Sequence, residues 1–387
     1  MSRKLRVGIL FGGRSGEHEV SLLSAASILK AIDRTRFDVV PIGITKAGRW
    51  LGGEAAEELL LGLATGAFAA KVAESIAAHG AQFSSAPISA AIMPEPQSAL
   101  TAANSMSAHS LDVLFPVLHG TFGEDGTIQG LFELADLPYV GSGVLGSSAG
   151  MDKDVMKRLF AAAKLPTVKF KVMLRSEWEK SPRKIVEQIE ATFKYPVFVK
   201  PVNMGSSVGI SKVHDRSELA PALDLAAKYD RKLMVEEGVG GKKSKARELE
   251  VAVLGNDEPK ASVVGEIIPG KEFYDYEDKY LSEGSKPVIP AKLTKAQQKI
   301  IQELAIAAFK ACDLAGLARV DFLMEPDGKK RIFLNEVNTM PGFTKISMYP
   351  KLWDASGIGY TNLISQLIDL ALARHAEKKR TRFTRED

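Results

Sequence analysis

Cysteine is nearly absent: Cys312 stands alone in 387 residues, and a lone thiol closes no internal disulfide, so nothing in the thiol content points to an oxidising compartment. No apolar run reaches the ~18 residues of a membrane span. Arg3, Lys4 and Arg6 precede a short apolar stretch, but Gly12, Gly13, Arg14 and Glu17 interrupt it where a signal peptide needs its apolar centre and cleavage site. An excess of one charge is missing too, since 51 Lys and Arg against 47 Asp and Glu leave +4. There is no internal repeat, and no interleaving of basic and aromatic residues of the kind nucleic-acid binders use. The chain therefore reads as a soluble cytoplasmic protein with neither membrane nor nucleic acid as partner. Charged residues at 25% and hydrophobic residues at 45% are ordinary globular proportions and exclude a disordered, collagen-like or coiled-coil chain. At roughly 100–200 residues per domain, the length suggests two or three domains.

Several motifs are also missing. GxxxxGK[ST] does not occur and GxGxxG does not follow the first apolar strand, which reduces the standard NTPase and dehydrogenase readings. No CxxC, HExxH or Ser/His/Asp order is visible, and Cys312 falls in an apolar helical stretch where an inert buried thiol is the natural reading.

What is present is an alternation of strands and helices, which predicts a mostly parallel α/β sheet with ligands at the carboxyl ends of strands. Residues 5–11 form an apolar run ending in Gly12-Gly13, followed by Leu22, Ala25, Ala26, Leu29 and Ile32 at helical spacing. Residues 39–44 and 113–118 read as further strands, the latter emptying into the glycine-rich 119–126. Residues 54–110, rich in Ala and Ser, read as an accessory excursion. Residues 151–163 look helical, 196–201 read as a strand, and a glycine and serine loop at 203–209 leads to another strand near 210–213. Residues 233–237 and 248–254 are further strands, and 265–285 is a long loop crowded with Tyr, Asp, Lys and Gly. Ile300, Leu304, Ala308 and Ala311 share a helix face with Gly316 as its cap, and residues 362–374 form a last amphipathic helix before a charged, solvated tail.

The most informative stretch is residues 318–342, ARVDFLMEPDGKKRIFLNEVNTMPG. Asp327-Gly328 signals a hairpin between two apolar strands. With that pair at the centre of the turn, Asp321 faces Leu334 and Arg319 faces Glu336, and strand alternation sends Arg319, Asp321, Glu336 and Asn338 the same way. Three oxygen ligands and a guanidinium then converge, a set that suits Mg²⁺ and a phosphoryl group. The alternative is a solvated sheet face. The apolar opposite face, Val320, Phe322, Phe333 and Val337, favours a buried sheet whose charges need a partner, and a three-residue turn would flip the parity and remove the argument.

Lys200 ends an apolar strand just before Gly205-Ser-Ser-Val-Gly209, where loop amides and an ammonium could surround phosphate oxygens. Lys153 is a second such candidate, with a surface salt bridge as its alternative. Glu17 and His18 follow the first glycine turn and His119 ends the third strand. Structural and catalytic readings balance for these, because strand ends are where sites lie.

Taken in order, GGRSGEHEVS, FPVLHGTFGEDGTIQG, MDK, VKPVNMGSSVGISKV, FYDYEDKYL, ARVDF and LNEVNTMPGFTKISMYP resemble the D-alanine–D-alanine ligase family of the ATP-grasp superfamily, over nearly the whole chain. The resemblance implies an α/β, three-domain ATP-grasp architecture with an N-terminal Rossmann-like parallel-sheet domain. Its parts would be a substrate-binding domain at 1–147, a central ATP-grasp domain at 148–235, a C-terminal ATP-grasp domain with the metal site at 236–375, and a tail at 376–387. It implies that ATP phosphorylates the carboxylate of one D-alanine and that the amine of a second displaces phosphate, giving D-alanyl-D-alanine for peptidoglycan precursors, in a homodimer. Mg²⁺, as two ions or with Mn²⁺ as a substitute, would sit on Asp321, Glu336 and Asn338. Lys153, Lys200 and Lys279 match phosphate-binding lysines. Glu236, Glu237 and Val239 match the adenine strand and linker, with Phe273 and Asn335 beside them and Glu248 on the ribose. Glu17, Ser206 and Tyr280 resemble a hydrogen-bonded trio that closes loops over the site, Glu17 also gripping the first D-alanine's ammonium. His119 would approach that substrate, Arg319 and the Gly342 amide would stabilise developing negative charge, and Ser347 and Met348 would receive the second carboxylate. The chain departs from compact relatives at 238–247, which is longer and more basic, and at 54–110. Its rivals are an ATP-grasp ligase joining D-alanine to D-lactate, expected to alter the loop around Tyr280, and a nucleotide sensor that has lost catalysis. A sensor would have no use for the set Arg319, Asp321, Glu336 and Asn338.

Overall fold

A computed structural model describes residues 3–61, 111–240, 245–269, 285–344 and 346–384. Strand β1, Leu5–Gly12, is buried along most of its length, as a strand covered on both faces must be, and it pairs in parallel with β2 (Phe37–Ile44) and β4 (Val113–Pro116). The short β3, Trp50–Gly52, adds an antiparallel edge to give the order β3-β2-β1-β4. Helix α1, His18–Ala31, packs on this sheet, and α2 covers Glu54–Leu61. The rest of the expected accessory excursion lies outside the described residues.

The expectation of parallel pairing fails beyond this first sheet. A second sheet has the order β5-β8-β6-β7, from Phe170–Leu174, Lys232–Glu237, Val197–Pro201 and Ser211–Val213, and every pair in it is antiparallel. The third has the order β11-β10-β9-β12-β13, built from Lys286–Val288, Lys260–Ile268, Arg247–Gly255, Gly316–Met324 and Ile332–Asn338, again all antiparallel. Apolar runs of this length are the same in either sense of pairing, and sequence neighbours β6-β7, β9-β10, β10-β11 and β12-β13 pair directly while β5-β8, β8-β6 and β9-β12 are joined by crossovers.

Other expectations shift locally. The helix expected across 151–163 is two helices, because Asp152 leaves helical backbone and caps the second: its Oδ1 accepts from the amides of Asp154 (3.1 Å) and Val155 (3.0 Å). After α3 (Thr127–Leu134), these are α4, Val144–Met151, and α5, Lys153–Ala162. Helices α6 (Arg175–Lys180), α7 (Pro182–Thr192) and α8 (Arg216–Ala227) follow. Helix α9, Lys295–Ala311, buries Ile301, Ala305, Ala308 and Phe309, one residue round from the expected face, and leaves Ile300 exposed. Gly316 does not cap it. That glycine opens β12 at φ +74°, against the backbone of Gly141.

Two cores fix the cleft. Residues of the first sheet share one core with α10 (Met348–Ala355) and α11 (Tyr360–Lys378), and Phe115 meets Phe343 edge-on at 5.8 Å. Met156 and Phe160 of α5 instead join the third sheet's core with Val320, Phe322 and Leu334. Helix α5 therefore sits between the second and third sheets, its first turn tied to the second by Lys153 N–H donating to the Val202 carbonyl at 3.2 Å.

Candidate functional site

The β12–β13 hairpin carries the charged row, though not in the expected register. Glu325 N–H donates to the Arg331 carbonyl at 2.9 Å, which leaves the odd-numbered loop 326–330 and flips the parity. A β-bulge between Asp321 and Phe322 flips it back, so Asp321 lies opposite Glu336 and Arg319 opposite Asn338. Asn335 is the extra residue. Leu334 and Val337 are buried while Asn335 and Glu336 both line the cleft, and Phe333, expected in the apolar face, is only partly buried beneath Arg331. Arg319 grips Asp321 with both arms of its guanidinium, Nε to Oδ1 at 2.8 Å and Nη2 to Oδ2 at 2.7 Å, and lies 3.2 Å from Glu250 Oε2. Asn338 Nδ2 donates to Asp321 Oδ2 at 3.0 Å.

Two cavities meet at this row. The larger, about 420 Å³, is lined by Glu17, His119, Lys153, Ser206 and Asn338, and by the loop carrying Gly342, Ser347 and Met348. The smaller, about 150 Å³, is lined by Lys200, Glu236, Glu237, Val239, Glu248, Asp321 and Asn335. Arg319, Glu250 and Glu336 line both. All but one of the described candidates from the sequence thus face one of two adjoining spaces; His18 lines neither, being buried with Nδ1 at 2.7 Å from the Gly13 carbonyl, a structural role. Phe273, Lys279 and Tyr280 lie outside the described residues.

In the larger cavity the Ser206 hydroxyl donates to Glu17 Oε1 across 189 residues of sequence. The loops cross tightly there: a Cβ on Gly205 would stand 2.8 Å from Glu17 Oε2, and one on Gly120 2.5 Å from it. Ser206 and Ser207 hold positive φ, +48° and +60°, a backbone that non-glycine residues keep only where surroundings enforce it. His119 Nδ1 donates to the Met340 carbonyl at 2.9 Å, and Nε2 accepts from Ser24 Oγ at 3.1 Å. Burial lowers its pKa to about 4, so the ring is neutral and pins the 340–343 segment. Lys153 Nζ donates to the Met204 carbonyl at 2.8 Å and stands 3.7 Å from Glu336 Oε2.

At the wall of the smaller cavity Glu236 holds two lysines on one carboxylate, Lys157 behind the wall at 2.7 Å on Oε1 and Lys200 on Oε2. Burial alone would raise the Glu236 pKa, but the two ammonium groups outweigh it and hold it at about 2. Burial likewise works against Lys200, yet Glu236 and Glu336 leave its pKa raised. Burial pulls the Lys157 pKa down against the attraction of Glu236.

Comparison with known proteins identifies the family. Residues 6–142 match the model for the D-ala D-ala ligase N-terminus and residues 159–369 that for the D-ala D-ala ligase C-terminus. The D-alanine–D-alanine ligase of Natranaerobius thermophilus is 50% identical over 382 residues, 98% of each chain. The chain belongs to the D-ala D-ala ligase family. The enzyme of that name from Heliobacterium modesticaldum is 49% identical over 97% of each chain. Among solved structures, the D-alanine–D-alanine ligase of Coxiella burnetii superposes with a TM-score of 0.75 at 35% identity, covering 98% of this chain and 97% of that one. The VanG D-Ala:D-Ser ligase of Enterococcus faecalis gives 0.76 at 34%, covering 95% and 100%.

Two acidic site residues escaped the sequence reading. Glu124 accepts the amides of Gly120 (2.7 Å) and Met340 (2.8 Å), tying together two loops of this ligase-family cleft. Burial, then the charge of Glu17, raises its pKa to about 8. Glu250 is buried against Arg319. Its signal was available: Glu248-Leu-Glu250 on a strand sends both carboxylates to one face.

The donor set fits a hard divalent cation, since Asp321 and Glu336 supply carboxylate oxygens from opposed strands and Asn338 an amide oxygen, its Nδ2 being turned to Asp321. Among the described residues no group of three or more His, Cys, Asp or Glu could compete for it. Nor is any helix among them long and apolar enough to cross a membrane.

Proposed function

We propose that the chain is an ATP-dependent ligase that joins two D-alanine molecules into D-alanyl-D-alanine, releasing ADP and phosphate, as a step toward peptidoglycan precursors. The observation that carries this reading is the shared wall of Arg319, Glu250 and Glu336 between the two cavities. A nucleotide in the smaller space would direct its terminal phosphate at a carboxylate in the larger. Within this reading residues 1–147, 148–235 and 236–375 are the substrate-binding, central and metal-bearing domains, and 376–387 the tail. The dependence on ATP puts the enzyme in the cytoplasm, and the family resemblance supports a homodimer.

Adenine and ribose go to Glu236, Glu237, Val239, Asn335 and Glu248, joined by Phe273. Lys153, Lys200 and Lys279 take the phosphates, and Asp321, Glu336 and Asn338 would hold Mg²⁺, as two ions, or Mn²⁺ in its place. The metal, when bound, offsets phosphate charge. Glu17 receives the ammonium of the first D-alanine. Burial and the Glu17 charge raise the Glu124 pKa, so Glu124 competes less than a second full anion for the ammonium at Glu17. The substrate carboxylate attacks the terminal phosphorus, the bond to ADP breaks, and D-alanyl phosphate forms with Arg319 beside the transferred group. The second D-alanine, its carboxylate on Ser347 and Met348, then attacks the acyl carbon with its free amine. The tetrahedral oxyanion is held by Arg319 and the Gly342 amide, and phosphate leaves with one oxygen of the original carboxylate. Ser206, Glu17 and Tyr280 close the loops, excluding water that would hydrolyse the acyl phosphate. Phosphate release from ATP tests this reading: it should depend on D-alanine and fail with L-alanine, and release without any amino acid would overturn it.

A further inference from the structure

Lys157 is among the largest fully buried side chains, 1% exposed, and it lines neither cavity. It stands one turn after Lys153 on α5, so both leave the same face of the helix, but only Lys153 reaches the cleft. An isolated ammonium this deep is costly unless a counter-charge meets it. That counter-charge is Glu236 Oε1 at 2.7 Å, while the other oxygen of the same carboxylate holds Lys200. Two lysines thus share one carboxylate, with Glu336 adding its attraction to Lys200 from the cleft side. With an apolar residue at 157, the Glu236 carboxylate would face Lys200 alone, and the end of β6 would attract an anion less strongly.

We propose that Lys157 is a positioning residue for nucleotide binding: it takes up part of the Glu236 charge from behind, leaving the Lys200 ammonium able to attract nucleotide phosphates. This rests on the ATP-dependent reading above and deepens it. A unit charge ~8 Å from a phosphate oxygen, at an effective dielectric of ~20, changes a dissociation constant by roughly thirtyfold, whereas a neutral nucleoside in the same cavity feels almost nothing.

Calorimetric titration with Mg-ADP and with adenosine separates the two effects. Lys157→Met should lower the preference for ADP over adenosine by at least tenfold. Lys157→Gln, which keeps a polar side chain without the charge, should do the same. The double variant Lys157→Met, Glu236→Gln removes charge and counter-charge together and should recover the parental preference to within about threefold. Should Lys157→Met not fold, the other two variants carry the comparison. Equal weakening of ADP and adenosine, a parental preference in Lys157→Gln, or no recovery in the double variant would overturn the inference. A parent that binds ADP no better than adenosine would instead overturn the nucleotide reading itself.

Discussion

Asp321 on β12 stands directly opposite Glu336 on β13, and one extra residue in the second strand, Asn335, keeps both on the cleft face. The pair forms an oxygen-only wall at the junction of two cavities, beside a guanidinium and the Lys153 ammonium.

Removing one charge from that wall should affect chemistry far more than folding. Glu336→Gln keeps the shape and is expected to melt within a few degrees of the parent while losing more than about a hundredfold in turnover. Melting curves and single-turnover phosphate release check this together. Turnover above a tenth of the parental rate in a folded variant would remove the metal assignment.

Gly205 lacks a side chain where one would meet Glu17. Its φ is ordinary, so Gly205→Ala brings no backbone strain, and the atom it strikes is the far end of a flexible carboxylate. The expected result is a displaced Glu17: near-parental melting, with the KM for D-alanine raised roughly tenfold or more. A variant that loses stability and keeps its KM would show that the crossing is only structural.

Glu124 gives a pH signature. A carboxyl whose pKa is raised on folding to about 8 binds its proton more tightly in the folded state, so its contribution to stability is full below the unfolded pKa and is lost as pH rises toward 8. His119, lowered to about 4 by burial, acts oppositely, gaining stability for the fold as pH rises from about 4 to the unfolded value near 6.5. Between pH 6.5 and 8 only the first of these slopes remains. The melting temperature of the parent should fall relative to that of Glu124→Gln across this window, and parallel curves would contradict the protonated assignment.

Much of the site was legible because chemistry concentrates at strand ends and in alternating charged rows: Glu17, His119, Lys200 and the row Arg319 to Asn338 were all found that way. Register was not. The hairpin signal at Asp327-Gly328 suggested a two-residue turn, and the same-face conclusion survived only because the odd loop and the bulge cancel. A bulge has no reliable mark in an apolar strand; Asn335 between Leu334 and Glu336 looks like ordinary alternation. Pairing sense in the second and third sheets was hidden for a similar reason, since buried strands read alike whichever way they run. Glu124 and Lys157 were missed because a single acid in a glycine-rich stretch, or a lysine one turn along a helix, announces nothing until its partners, Met340 and Glu236, are brought from elsewhere in the chain.

The central claim is the acyl phosphate, in which an oxygen of the first D-alanine leaves with phosphate. D-alanine labelled with ¹⁸O in its carboxylate, turned over with unlabelled ATP, should yield inorganic phosphate carrying one ¹⁸O per dipeptide formed, read by mass spectrometry. Phosphate without label, at equal dipeptide yield, would contradict the account.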